Sequence, residues 1–190
     1  MKIVGVGCGP GMLTVEAATT IAGASLIYGS TRAIELVRDV IPPGCETHEI
    51  ADYRSLRSLP DHAVVLSTGD PMLAGLGYLP GEVVPGISSL QVAFARLKIP
   101  LTRAAIVSAH GKDHGRAVAE AREEFVRGKV IFLVADPAFD LGVLAADLPP
   151  GTRIAVCEDL GYPEERIAAG TAAEPPVPGG GLYVVVAGEF

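Results

Sequence analysis

The chain has 190 residues, 49% of them hydrophobic and 19% charged, with a formal net charge of −7. That length and balance suit one large or two small globular α/β domains and exclude a disordered chain. The acidic balance, the lack of tryptophan and an aromatic content of only 5% count against a phosphate-backbone or base-stacking surface, so no nucleic-acid partner is expected.

In chain order, the apolar run "KIVGVG" predicts a buried strand ending in glycines. "MLTVEAATTIAGA" follows with helical spacing, placing Leu13, Ala17 and Ile21 on one face and Gly23 at the stop. "SLIYG" predicts a strand. "STRAIELVRDVIPPG" predicts a helix capped by Ser30 or Thr31 and ended by Pro42 and Pro43. "AVVLSTG" and "GEVVPG" predict two more strands, and "ISSLQVAFARLKIP" a helix that Ser88 or Ser89 can cap. The alternation then repeats. "AAIVSAHG", "KVIFLVAD" and "RIAVCED" read as strands separated by the helices "GRAVAEAREEFVRG" and "PAFDLGVLAADLPPG". An irregular stretch at 173–181 precedes a final strand, "LYVVVAG". Such alternation predicts mostly parallel sheet, with loops at strand C-terminal ends open to ligands. The break at "KIPLTRA" divides the chain into expected domains 1–102 and 103–190.

No apolar run reaches the roughly 18–20 residues that cross a bilayer, so no membrane partner is expected. The chain opens on a strand without the apolar core and cleavage site of a secretory signal. Cys8, Cys45 and Cys157 are odd in number and far apart, which fits a reducing compartment and argues against a cysteine zinc site. A cytoplasmic location is expected. His110 and His114 are four residues apart, but Gly111 opposes the helix that would bring them together, and no metal site is expected.

"VGVGCGPGMLT" resembles a dinucleotide loop, yet it lacks the third glycine of G-x-G-x-x-G in either frame. The second strand ends in Tyr28, Gly29 and Ser30, with no carboxylate for a ribose hydroxyl. What remains is a turn made rigid by Pro10, where Gly9 and Gly11 let a ligand approach the backbone. Two further loops follow strands. "STGDP" offers Thr68, Gly69 and Asp70, although Asp70 and Pro71 equally suit a plain helix start. "VVPGISS" presents Ser88 and Ser89, which equally suit helix capping.

"GCGPG", "STGDP" and "VVPGISS", in this order, resemble the tetrapyrrole methylase family, and the resemblance covers nearly the whole chain. It implies two α/β domains, the first mostly parallel and the second mixed, with S-adenosylmethionine in a cleft between them and a homodimeric assembly. It implies cofactor contacts at Gly9, Pro10, Thr68, Gly69, Asp70, Leu73, Ser88, Ser89, Leu133 and Gly170. "SAHGKD" and "EDLGYPEERI" are similar to the branch that methylates C5 of cobalt-precorrin-7 in cobalamin biosynthesis. A pathway partner that methylates and decarboxylates at C15 is then also implied. One departure is the short span between "GDPMLAGLG" and "VVPGISS", which leaves room for only a very short helix.

His110, Lys112 and Glu158 are candidate substrate contacts, and Arg32 and Arg103 are further cations suited to substrate carboxylates. No catalytic base is assigned, because in-line transfer from a sulfonium mainly requires alignment. The alternatives are a methylase of the same fold acting on RNA or protein, an ordinary Rossmann methyltransferase, and a nonenzymatic nucleotide-binding module.

Overall fold

The computed structural model describes residues 1–111 and 113–190, with the backbone alone at 74. The chain divides into two compact units, Met1–Ser88 and Ser89–Phe190. This division lies ahead of the expected 102/103 boundary. The helix over Ser89–Leu97 belongs to the second unit, where its Phe94 meets Phe132 edge to face with ring centroids 6.1 Å apart.

The first unit contains β1 (Lys2–Gly5), α1 (Val15–Ala22), β2 (Leu26–Gly29), α2 (Thr31–Leu36), β3 (Glu46–Glu49), β4 (Val64–Ser67), α3 (Pro71–Ala74) and β5 (Glu82–Val84). Its five strands lie in the order β3-β2-β4-β1-β5, and all the pairings are parallel. The apolar runs are continuous because both faces of the sheet are covered. Val4 and Leu66 belong to a core with Ala17, Ile21, Ala33 and Val37, residues of α1, α2 and the turn after α2. Ile3 and Val65, one residue out of phase, belong to a second core with Leu56, Leu76 and Leu79. Thr14 and Ser30 cap α1 and α2 by accepting from the Ala17 and Ala33 amides, at 3.1 and 3.2 Å.

The second unit contains α4 (Ser89–Leu97), β6 (Ala104–Ala109), α5 (His114–Val126), β7 (Val130–Ala135), α6 (Leu141–Ala146), β8 (Arg153–Glu158), β9 (Arg166–Thr171) and β10 (Tyr183–Gly188). The strand order is β6-β7-β10-β8-β9. Only β6 and β7 pair in parallel, and the other three pairings are antiparallel, so the sheet is mixed. Val107, Ile131, Leu133, Ile154, Val156 and Val185 form its main core with Ala117, Val118 and Ala121 of α5 and Leu141, Leu144 and Ala145 of α6.

The two-unit α/β architecture, with a parallel first sheet and a mixed second, agrees with the sequence reading. Two strands escape that reading. β3 has the sequence ETHE, and β9 is half-exposed and built largely of Ala and Gly. Both lie at sheet edges, where one-sided pairing and exposure weaken the apolar signal.

Candidate functional site

The three glycine-bearing loops leave the C-terminal ends of β1, β4 and β5. In the sheet these strands are neighbours, with β1 in the middle. Strands distant in sequence therefore deliver their loops to one place, the edge where open parallel sheets bind ligands.

Direct bonds tie the loops together. Gly7 and Gly69 exchange backbone hydrogen bonds, with N–H to O distances of 3.3 and 2.8 Å. Asp70 Oδ1 accepts from the Met72 amide at 2.8 Å and so caps α3. Its Oδ2 accepts from the Gly86 amide at 3.0 Å, joining the second loop to the third. From α2, the Arg32 guanidinium donates to the Cys8 carbonyl at 2.7 Å and supports the first loop.

The packing explains two of the glycines. A Cβ on Gly5 would lie 2.5 Å from the Gly86 nitrogen and 2.8 Å from the Gly69 oxygen. A Cβ on Gly86 would run into the Gly69 carbonyl as well. These glycines let the loops approach one another. Gly11 differs: its φ is +74°, and a Cβ there would meet nothing within 4 Å. The turn at 7–11 thus has its left-handed residues at Gly7 and Gly11, with Gly9 buried and Pro10 exposed between them. Thr68 and Leu73 are half-buried, Ser88 is buried, and Ser89 begins α4. The helix after "STGDP" has only four residues, as the short span requires.

The second unit carries the candidates Leu133, Gly170, His110 and Glu158. Leu133 is fully buried in the core, and β7 is paired on both sides there, with Val107 and Val185. Gly170 lies in β9, where any Cβ would strike the Glu174 carbonyl. His110 is exposed in the loop after β6, and Lys112 lies outside the described residues. Glu158 is buried at the end of β8, where its carboxylate accepts from Arg166 and, at 2.5 Å, from the Gly179 amide. It thereby holds the 174–181 segment against the sheet.

One cluster escaped sequence reasoning. Asp136 follows β7, and its Oδ2 accepts from the Gly111 amide at 3.2 Å and meets His114 Nε2 at 3.1 Å. Its Oδ1 accepts from the Ala138 amide at 2.8 Å. The His114 bond, with the Gly111 amide next, holds the Asp136 carboxyl below its ordinary pKa. The Tyr183 hydroxyl donates to the Asp136 and Phe139 carbonyls, at 3.3 and 3.2 Å. The only sequence signal was an aspartate after an apolar strand, which is too common to single out.

The donors of the first-unit site are largely backbone amides and small hydroxyls. Among the described residues there is no cluster of three His, Cys, Asp or Glu suited to a metal ion. The model for "Tetrapyrrole (Corrin/Porphyrin) Methylases" matches residues 2–176. The chain belongs to the tetrapyrrole methylases. A curated relative from Methanocaldococcus jannaschii, described as "Probable cobalt-precorrin-7 C(5)-methyltransferase", is 31% identical over 189 residues, with 86% of each chain covered. A second, the "Precorrin-6Y C(5,15)-methyltransferase [decarboxylating]" of a Sinorhizobium species, is 30% identical over 91% of this chain, which spans only 45% of that relative. The crystal structure of a cobalamin-biosynthesis precorrin-6Y methylase from Archaeoglobus fulgidus superposes with a TM-score of 0.78 at 30% identity, covering 99% of this chain and 96% of that one. This tetrapyrrole methylase therefore shares fold and sequence with relatives named for methylation in corrin synthesis. No helix among its described residues is long and apolar enough to cross a membrane.

Proposed function

We propose that this methylase transfers a methyl group from S-adenosylmethionine to C5 of cobalt-precorrin-7. The observation that carries the reading is the relative named for that reaction, matched over 86% of both chains. The loop convergence at β4, β1 and β5 fits the cofactor. A glycine turn with open space at Gly11 admits a ligand close to the main chain. Hydroxyl and amide groups suit an adenosine and an amino-acid moiety.

When bound, the cofactor supplies an electrophilic methyl on a positively charged sulfur. The chain's own residues bind and align. Gly9, Pro10 and Thr68 border the ligand, and Gly69 and Ser88 line the approach. Asp70 holds the second and third loops in register through Met72 and Gly86, so its effect on the cofactor is largely positional. Leu73, Ser89 and Gly170 are further proposed contacts. Leu133, fully buried in β7, is proposed as a contact as well. His110, Lys112 and Glu158 are proposed on the substrate side, Glu158 through the segment that it anchors. Displacement at the methyl carbon needs an electron-rich ring carbon held in line, and no residue is assigned as base.

We also propose a cytoplasmic homodimer. A pathway partner that methylates and decarboxylates at C15 belongs to the same proposal, since the second relative is named for both positions. Incubation with cobalt-precorrin-7 and methyl-labelled S-adenosylmethionine tests the reading. Label is expected at C5 of the macrocycle by NMR, and a native protein that leaves the corrin unlabelled overturns it.

A further inference from the structure

The loop after β6 is more tightly specified than a connection needs to be. Gly111 has a φ of +123°, which L side chains rarely adopt, and a Cβ there would meet nothing within 4 Å. Conformation alone thus demands glycine at this position. One carboxylate oxygen, Asp136 Oδ2, holds this residue through its amide and holds His114, the first residue of α5. The His114 ring is fixed a second time against Phe139, edge to face at 5.4 Å. The chain bearing Asp136 is anchored by Tyr183, whose hydroxyl bonds the Asp136 and Phe139 carbonyls. His110 precedes Gly111 directly and is exposed. The Asp136 bonds thus fix both sides of this turn, at the Gly111 amide and at the His114 ring. The turn lies at the C-terminal ends of the parallel pair β6 and β7, where such sheets place ligands.

We propose that Asp136 and His114 form a positioning pair that sets His110 for the corrin substrate. The inference rests on the methylation reading above and deepens it. Asp136 does not touch the substrate; it acts through Gly111 on the residue before it. An imidazole at His110 donates to a carboxylate side chain of the macrocycle, and a neutral carbonyl of the same ring system is a weaker partner for it. His114→Gln keeps a donor toward Asp136, whereas His114→Ala removes it. Asp136→Asn offers one acceptor oxygen where two are used, so either the Ala138 amide or the Gly111–His114 side loses its partner.

The test is a double-mutant cycle with cobalt-precorrin-7 and S-adenosylmethionine on the full chain. Asp136→Asn and His110→Ala are each expected to raise KM for the corrin about tenfold, corresponding to about 1.4 kcal/mol. The Kd for S-adenosylhomocysteine should stay within about twofold of the native value. Residues acting through one another are non-additive, so the double variant should resemble His110→Ala alone. His114→Gln should retain the native KM more closely than His114→Ala. Additive effects, an unchanged KM in His110→Ala, or a loss of kcat and cofactor affinity together overturn the positioning role while leaving the methylation reading intact. A native protein with no turnover overturns the methylation reading and this inference with it. Circular dichroism confirms that each variant is folded, and if Asp136→Asn is not, His114→Ala replaces it in the same cycle.

Discussion

Replacing Asp70 by alanine removes two bonds at once, the cap on α3 and the link to the Gly86 amide. The cap is worth about 1 kcal/mol, and a charge-assisted bond to a part-buried amide about 1.5–3 kcal/mol more. The variant is therefore expected to lose roughly 2.5–4 kcal/mol in urea denaturation. It should also bind S-adenosylhomocysteine at least about tenfold more weakly, or about 1.4 kcal/mol, because the second and third loops lose register. A variant that melts lower but keeps native affinity by calorimetry reduces Asp70 to a helix cap. The sequence offered both readings of this residue and no means of joining them. The bond to Gly86 spans 16 positions and depends on β1 lying between β4 and β5, an arrangement that no local pattern encodes. The glycines carried a similar ambiguity. Gly11 is a glycine of conformation, at a φ of +74° with open space around it, whereas Gly5 and Gly86 are glycines because loop meets loop. From sequence alone, both kinds of glycine look the same.

At the scale of elements, α4 is fastened to the loop between β8 and β9 by one ion pair. Arg96 donates to Glu165 through Nε at 2.6 Å and through a terminal nitrogen at 3.4 Å, and Glu165 accepts from the Gly161 amide at 2.8 Å. The Arg96 bonds come first and the Gly161 amide also contributes, and together they hold the Glu165 carboxyl below its ordinary pKa. A carboxylate depressed in the folded state stabilises fully above its unfolded value, about 4.3, and the stabilisation fades as pH falls through the lower folded value. Denaturation between pH 6 and pH 3 should therefore show a loss of stability that Glu165→Gln makes smaller. Equal acid sensitivity in the two proteins would falsify this role for the pair. The "EDLGYPEERI" stretch drew attention in the sequence as a resemblance. Its structural content is a turn with Asp159 at a φ of +46° and Gly161 at +84°, closed by that pair. Most helices and inner strands were legible because they bury apolar faces. β3 was hidden because Glu46 and Glu49 occupy it, and β9 because Ala168, Ala169 and Gly170 show little alternation in polarity.

For the molecule as a whole, ligand choice separates the family reading from a dinucleotide reading. A ligand that binds only the folded state stabilises it by about 2.7 kcal/mol at a hundredfold excess over its Kd. S-adenosylhomocysteine is expected to raise Tm and NAD to leave it unchanged; equal shifts from both, or none from the first, overturn the proposed cofactor. The second sheet also has a bearing on how the protein is made. β10 is buried along its whole length and lies between β7 and β8, yet it is the last strand in chain order. Until a ribosome has delivered Tyr183–Gly188, the pairs β6–β7 and β8–β9 each present a bare inner edge, with their apolar residues facing water. The first sheet needs nothing beyond Val84. On a ribosome that adds roughly 5–20 residues each second, the parallel sheet has several seconds in which to form while the mixed one waits for its keystone. Nascent chains stalled before β10 are the ones a chaperone would be expected to hold.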